Sequence, residues 1–274
     1  MAEYSNRIVG LVRFSYAGLS GFGSGPDDPQ ARAAQLFDPA RLARRFQLFE
    51  ALTLPSLLAQ EDAGFETVFL TSDALPAEAR ARLEAGAAQL PGARVLALPP
   101  MHHYPATQAA FDTVIGRGES HLVSFRLDDD DAIDRGYVAR LRRQAEGLQR
   151  VADPGRPFVI GCNRGFFLEI GAEANRLYDV VEKLPLGIGL AMVAPVAGRE
   201  NIFRRNHRLL PQFFTTFTDA ETPAFLRTVH TDNDSAPHAS GVKEKMGPEA
   251  IARAVAAHFP FTAEELLALR PACC

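Results

Sequence analysis

A chain of 274 residues, 47% hydrophobic and 23% charged, has the composition of a soluble globular protein and is long enough to bury a full core. Its net charge of -4 argues against a general nucleic-acid or anionic-membrane binder. No basic-then-apolar pattern opens the chain, the longest apolar run (Leu186 to Val196) is too short to span a bilayer, and Cys162, Cys273 and Cys274 are too few for a disulfide framework or zinc site. A single cytoplasmic, reduced domain over residues 1–274 is therefore expected.

Ile8-Val9-Gly10-Leu11-Val12 reads as the first strand, opening into Arg13-Phe14-Ser15. The Gly/Ser/Pro-rich stretch from Gly18 to Pro29 lacks the ending of a phosphate-binding P-loop and reads as a mobile loop beside that strand's end. Apolar residues recur at helical spacing from Pro39 to Gln60, and Pro55 is expected to kink or divide that helix. Phe65 to Leu70 is a second strand, closed by Thr71-Ser72-Asp73. Pro76 opens a helix that continues through Leu90. Arg94 to Leu98 is a third strand, ending at Pro99-Pro100-Met101-His102-His103, and a helix follows from about Ala106 to Arg117.

His121 to Leu127 then reads as a buried strand, and Asp128, Asp129, Asp130 and Asp131 follow where it leaves the sheet. Like charges this close favour a cation among them, and a strand end beside a crevice is where open α/β sheets bind ligands. Taken alone, a solvated acidic turn capping a helix near Asp134 explains the same four residues. Tyr137 to Val151 is a helix; Phe158 to Cys162 is a strand, with Gly165 to Ile170 as a hairpin partner. Further strands are read at Leu177–Val181, Ile188–Val193 and Phe213–Phe217; an apolar stretch from Pro223 to Val229 leads into a polar loop at His230, and helices are read at Gly247–Phe259 and Thr262–Leu269.

Alternating strands and helices imply an α/β/α sandwich around a mostly parallel sheet. Residues 1–135 would form its nucleotide-binding half, and the more strand-rich residues 136–274 an acceptor-side half. Parallel strand ends share one rim, so Arg13, Asp73, His102, His103 and Asp128 to Asp131 are expected to gather there. Asp suits a hard cation and Arg suits phosphate oxygens, although Arg13 read alone is equally a partner for an Asp and the two histidines equally ordinary rim residues. On alternation Arg126 points away from its neighbours and reads as a paired charge. His230 is a candidate ligand folding back from a distance. His207, inside Arg204-Arg205-Asn206-His207-Arg208, reads as either an anion contact or part of a solvated basic face.

The ordered set Arg13-Phe14-Ser15, Leu48-Phe49-Glu50, Leu54-Pro55-Ser56, Val68 to Ser72, Arg126 to Ile133 and Leu226 to His230 resembles a bacterial family described as putative rhamnosyltransferases. That family is similar to GT-A nucleotide-sugar glycosyltransferases, and the resemblance extends from about residue 8 to residue 235. It implies an aspartate motif in which Asp128 meets the ribose or a metal and Asp130 the metal, with Asp131 beside it. A one-residue slip selects Asp129 and Asp131 instead. It also implies donor contacts at Arg13, Phe14, Ser72, Asp73, Asp128 and Asp129, and places Asp130, Asp131 and His230 around Mn2+ or Mg2+.

The function this implies is transfer of a sugar from a nucleoside diphosphate sugar to a glycan or other acceptor hydroxyl. An inverting reaction also needs a proton acceptor. His207 and Glu200 are the expected catalytic groups because they flank the basic cluster; Glu182, Asp219 and Glu221 are further candidates. The rival expectations are a metal-dependent sugar nucleotidyltransferase and a non-catalytic sugar- or cation-binding module.

Overall fold

Residues Ile8 to Val12 are buried on both sides of their strand, so structure must cover both faces of the sheet that contains them. The computed structural model describes residues 4–21, 26, 28–116, 118–230, 233 and 239–270. The first half runs β1 (Asn6–Arg13), α1 (Pro29–Leu36), α2 (Pro39–Leu48), one π-helical turn (Phe49–Thr53), α3 (Leu54–Leu58), β2 (Glu66–Ser72), α4 (Ala77–Ala87), β3 (Arg94–Leu98), α5 (His103–Asp112) and β4 (His121–Asp128). The strands of the second half are β5 (Ala132–Ile133), β6 (Phe158–Cys162), β7 (Arg164–Glu169), β8 (Arg176–Val181), β9 (Leu190–Pro195), β10 (Thr215–Asp219), β11 (Phe225–Val229) and β12 (Val242–Lys243). Its helices are α6 (Tyr137–Gln149), α7 (Pro248–His258) and α8 (Ala263–Ala268), with 3-10 turns at Ile202–Arg204 and His207–Gln212.

The central sheet has the order β10-β6-β9-β4-β1-β2-β3 and is parallel except at β9, which runs antiparallel to β4 and β6. This is the mixed α/β architecture with a mostly parallel sheet that the sequence implies. Strand alternation divides the core. Ile8, Val12, Val123, Phe125 and Leu127 face α2, α4 and α6, packing with Phe46, Leu83 and Leu141. Val9, Leu11 and Leu122 face α5 and the 202–204 turn, packing with Phe111 and Phe203. A second sheet, β12-β8-β7-β11-β5, buries Phe166, Leu168 and Leu226 against α7 and α8. No helix among the described residues is long and apolar enough to cross a membrane.

Local chemistry explains the boundaries. Asp38 caps α2 by accepting from the Arg41 N–H, with Pro39 in the first turn. Of the kink or division expected at Pro55, the division does not occur. The chain widens instead into the π turn, where the Leu54 N–H reaches the Phe49 carbonyl just before the proline, and α3 continues. Helix α1, seeded by the Asp28 cap, fills the segment between the expected loop, which ends at Pro29, and the helix expected from Pro39. Helix α6 starts at Tyr137, as read from the sequence, and Asp134 is not a solvated cap near its start but is buried in a bidentate pair with Arg140. Residues 22–25 and 27 of the glycine-rich stretch, and the terminal Cys273 and Cys274, lie outside the described residues.

The expected hairpin between β6 and β7 does not form. At Asn163 the chain leaves one sheet for the other: its N–H donates to the Asp219 carbonyl and its side-chain amide to the Glu182 carbonyl, so β7 pairs with β8 and β11. Gly165 makes that crossing possible, since a Cβ there would lie 2.3 Å from the Phe225 carbonyl oxygen. Gly165→Ala is expected to cost about 3 kcal/mol, read as a lower urea midpoint, because backbone rather than a rotatable side chain must move.

Candidate active site

The β4 register that buries Phe125 and Leu127 on one face sends Arg126 and Asp128 to the other, beside Arg13 of β1. Asp128 then opens a turn into β5, so the acidic run is the link between the two sheets. Above it lies a cleft of about 720 Å³ lined by Arg13, Ser15, His102, His103, Arg126, Asp128 to Asp131, Arg204, Arg205, His207 and Arg227, among others. Seven arginines face four aspartates in that lining. Most of this rim is legible from the rule that parallel strand ends converge.

The acidic run is held rigidly. Arg45, from α2, grips both Asp129 oxygens and donates to Asp130 Oδ2 at 2.8 Å. His230 Nε2 also lies 2.8 Å from Asp130 Oδ2, and Asn233 donates to the same oxygen at 3.2 Å. The Thr228 N–H donates to Asp131 Oδ1, the Thr228 hydroxyl to the Asp130 carbonyl, and the Thr53 hydroxyl of the π turn to the Asp131 carbonyl. Two sheets and one helix therefore fix a turn whose charges alone would drive it apart. Asp128 differs from its neighbours: its side chain is 36% exposed, against 3% for Asp129 and 5% for Asp130.

The electrostatics divide the four carboxyls. Burial pushes Asp130 up, but Arg45, His230 and Arg227 outweigh it and hold the group below the usual carboxylate range. Asp128 is lowered against its burial by Arg126 and Arg13. Asp131 is raised well above the usual value, first by burial and then by the Asp130 charge. His103 and His207 are each pushed down to about 3 by burial and the nearby arginines, so both are neutral at physiological pH.

These depressed histidines make the fold acid-sensitive. An unfolded histidine takes its proton near 6.5 while the folded one resists to about 3, so stability is full above 6.5 and falls as pH drops through that window. The urea midpoint is expected to fall between pH 7 and pH 5, with a smaller fall in the variant carrying His103→Gln and His207→Gln.

The structure sorts the residues singled out by sequence. Arg13, Asp128 to Asp131 and His207 line one cleft, and His230 stands on Asp130 within it. Phe14 is corrected: it is fully buried between Phe46 and Phe49, because alternation that turns Arg13 toward the cleft turns Phe14 away. Ser72 is likewise corrected to the buried interior at the end of β2. Asp73 is exposed and Glu200 pairs with Arg204 at 3.7 Å; neither lines the cleft. Among the remaining candidates, Glu182 is buried on Ser240, while Asp219 holds the Thr222 turn.

Sequence reading missed Arg45, Arg41, Thr228 and Asn233. Arg41 and Arg45 carry the one usable signal: two arginines four residues apart, one helical turn, flanking the apolar Leu42 and Phe46. Ser15 is also on the cleft wall, in the left-handed region at φ 46 and accepting from Arg41.

Among the described residues, no three His, Cys, Asp or Glu side chains come together as a ready metal shell. The donors that do face one another, Asp130 with His230, and Asp128 with its open carboxylate, still fit a Mg2+- or Mn2+-type site. Such ions take one or two carboxylates and fill the remaining positions with water and substrate phosphate.

The family model described as "Putative rhamnosyl transferase" matches residues 7–242, a span running from β1 into β12. Nothing among curated proteins matches the chain. Solved structures with a similar arrangement include S. aureus TarS (12% identity, TM-score 0.45, 81% of this chain and 37% of that one). Others are S. aureus TarS 1-349 in complex with UDP (11%, 0.44, 81% and 60%) and mouse xyloside xylosyltransferase 1 (14%, 0.28, 58% and 53%). This chain thus spans 37% and 60% of the lengths of the two TarS chains.

Proposed function

We propose, from the premise that this chain belongs to the family described as "Putative rhamnosyl transferase" and is a glycosyltransferase, that it moves a sugar from a nucleoside diphosphate donor to an acceptor hydroxyl in the cleft above Asp128. Rhamnose is the sugar the family description favours. The observation that carries this reading is the meeting of a rigid acidic turn with seven arginines in one cleft of about 720 Å³. Carboxylates alone suit a cation, and arginines alone suit any anion. The two together suit an anion that arrives with a cation, as a metal diphosphate does.

Asp128, Asp130 and His230 would hold Mg2+ or Mn2+, which when bound supplies Lewis-acid neutralisation of the departing diphosphate. The chain's own arginines neutralise the same charge from fixed positions that need no reorganisation during the reaction. His207 is the proton acceptor we assign to the acceptor hydroxyl. It lines the cleft and is neutral, so one ring nitrogen is unprotonated and can accept the proton of the acceptor hydroxyl. Its basicity is held down by burial first and Arg126 next; a diphosphate lying on that arginine offsets the second cause and makes the imidazole a better base.

The test is a panel of nucleoside diphosphate sugars offered with mixed hydroxyl acceptors, with Mg2+, Mn2+ or EDTA. Release of nucleoside diphosphate in the metal arms and little in EDTA is the expected result. Release of pyrophosphate from a sugar phosphate and nucleoside triphosphate would point to sugar activation instead. Metal-dependent nucleotide affinity separates both activities from a passive sugar- or cation-binding module.

A further inference from the structure

Arg126 is a cation built into the cleft wall with an incomplete set of partners. Its guanidinium stacks on Phe203, 5.1 Å from the ring centroid. The loop that passes it has glycine at 187, where a Cβ would come within 2.9 Å of Arg126 Cζ and Nε. The Gly189 N–H donates to the Arg126 carbonyl and holds that loop down. Arg126 Nε is buried without a hydrogen bond. Its carboxylate neighbour, Asp128 Oδ1, is 3.6 Å from Nη2, long for a hydrogen bond, and the same oxygen is 3.9 Å from Arg13 Nη2. Asp128 is thus shared between two guanidinium groups and stands off Arg126 rather than closing on it.

A buried cation in this state is costly unless an anion completes it. A guanidinium fork offers parallel donors, which match an oxyanion carrying several oxygens better than a single carbonyl or hydroxyl. His103 and His207, the neighbours whose fields it shares, are neutral, so neither adds a cation that would draw the anion away from the guanidinium. We infer that Arg126, seated between Phe203 and Gly187, is a diphosphate-holding residue of the cleft and takes oxyanion oxygens of the donor across Asp128 from the Asp130–His230 pair. This assignment rests on the nucleoside diphosphate donor proposed above.

The experiment is calorimetric titration of the full chain with inorganic pyrophosphate, which requires no knowledge of the base or sugar. Arg126→Ala is expected to weaken pyrophosphate at least tenfold. Gly187→Ala, which keeps every charge but displaces the guanidinium, should weaken it at least threefold, and acetate should bind neither protein. In turnover with whichever donor the wild type accepts, Arg126→Ala should raise the donor KM while the acceptor KM moves less than twofold. The opposite split would assign the anion to the acceptor and overturn the proposal. Pyrophosphate affinity within twofold of wild type in Arg126→Ala would also overturn it. If that variant fails to fold, Arg126→Lys and Gly187→Ala decide, and wild-type affinity in both has the same force. A wild type that turns over donors while Arg126→Ala keeps its donor KM sinks the Arg126 assignment alone; a wild type with no donor turnover and no pyrophosphate affinity sinks the transferase chemistry beneath it.

Discussion

Arg45→Met is expected to destabilise the fold by about 3–5 kcal/mol at pH 7, the range for breaking a buried ion pair from one side. Arg45 contacts both Asp129 oxygens and Asp130 Oδ2, and those carboxylates are 3% and 5% exposed, so methionine leaves two charges in the interior with a principal cation gone. The sign of the pH dependence follows from Asp130. Its folded pKa is held below the unfolded value, so its contribution is present above about 4 and lost as pH falls through that region. The gap between wild type and variant should therefore be widest near neutrality and narrow in acid. Urea denaturation at pH 7 and pH 3 measures both. Adding Asp129→Asn and Asp130→Asn to Arg45→Met should recover part of the loss, since the stranded charges go too. A single variant within 1 kcal/mol of wild type at pH 7 would mean that the acidic turn is not held from α2.

Arg45 also marks where sequence reading stops. The strand His121 to Leu127 is legible because burial on both faces leaves an apolar run, and the four aspartates are legible because nothing in a core tolerates them unaided. The convergence of Arg13, Asp128 and His102 on one rim follows from parallel topology alone. The partners that satisfy the aspartates are another matter. Arg45 sits in an amphipathic helix, where an arginine reads as solvent-facing until the helix's approach to the β4 end is known. Thr228 acts through its backbone N–H and a hydroxyl that any strand threonine carries. The β6–β7 crossing at Asn163 looked like a hairpin because one polar residue between two apolar runs signals a turn. Only the competition for β9 and β8 shows that the two runs belong to different sheets. Of the donor contacts implied by the resemblance, Phe14 is turned to the opposite face by the period of two, whereas Ser72 keeps the face of Val68 and Leu70 and is buried at the end of β2.

Asp130→Asn is expected to lower kcat/KM by about 10³-fold, the scale on which removal of a preorganised charge-stabilising group acts. Asparagine keeps the volume and one acceptor oxygen, so His230 and Asn233 retain a neighbour, and Arg45 stays anchored by Asp129. The stability loss should accordingly be much smaller than in Arg45→Met, and the midpoints of the two variants compared side by side check this. Alanine is the poorer choice, because it empties a buried site where three donors converge. The kinetic signature separates roles. Removing a negative charge from a cleft with seven arginines makes it more attractive to a free nucleotide, so metal-free affinity for nucleoside diphosphate should be unchanged or tighter while stimulation by Mg2+ or Mn2+ is lost. The same measurements on Asp129→Asn choose between the two possible registers of the motif. Asp129 is committed to Arg45, so its variant should lose stability before it loses metal stimulation. Full activity in Asp130→Asn, or in wild type treated with EDTA, would remove the cation from the site and leave the arginines as the means of holding the departing diphosphate.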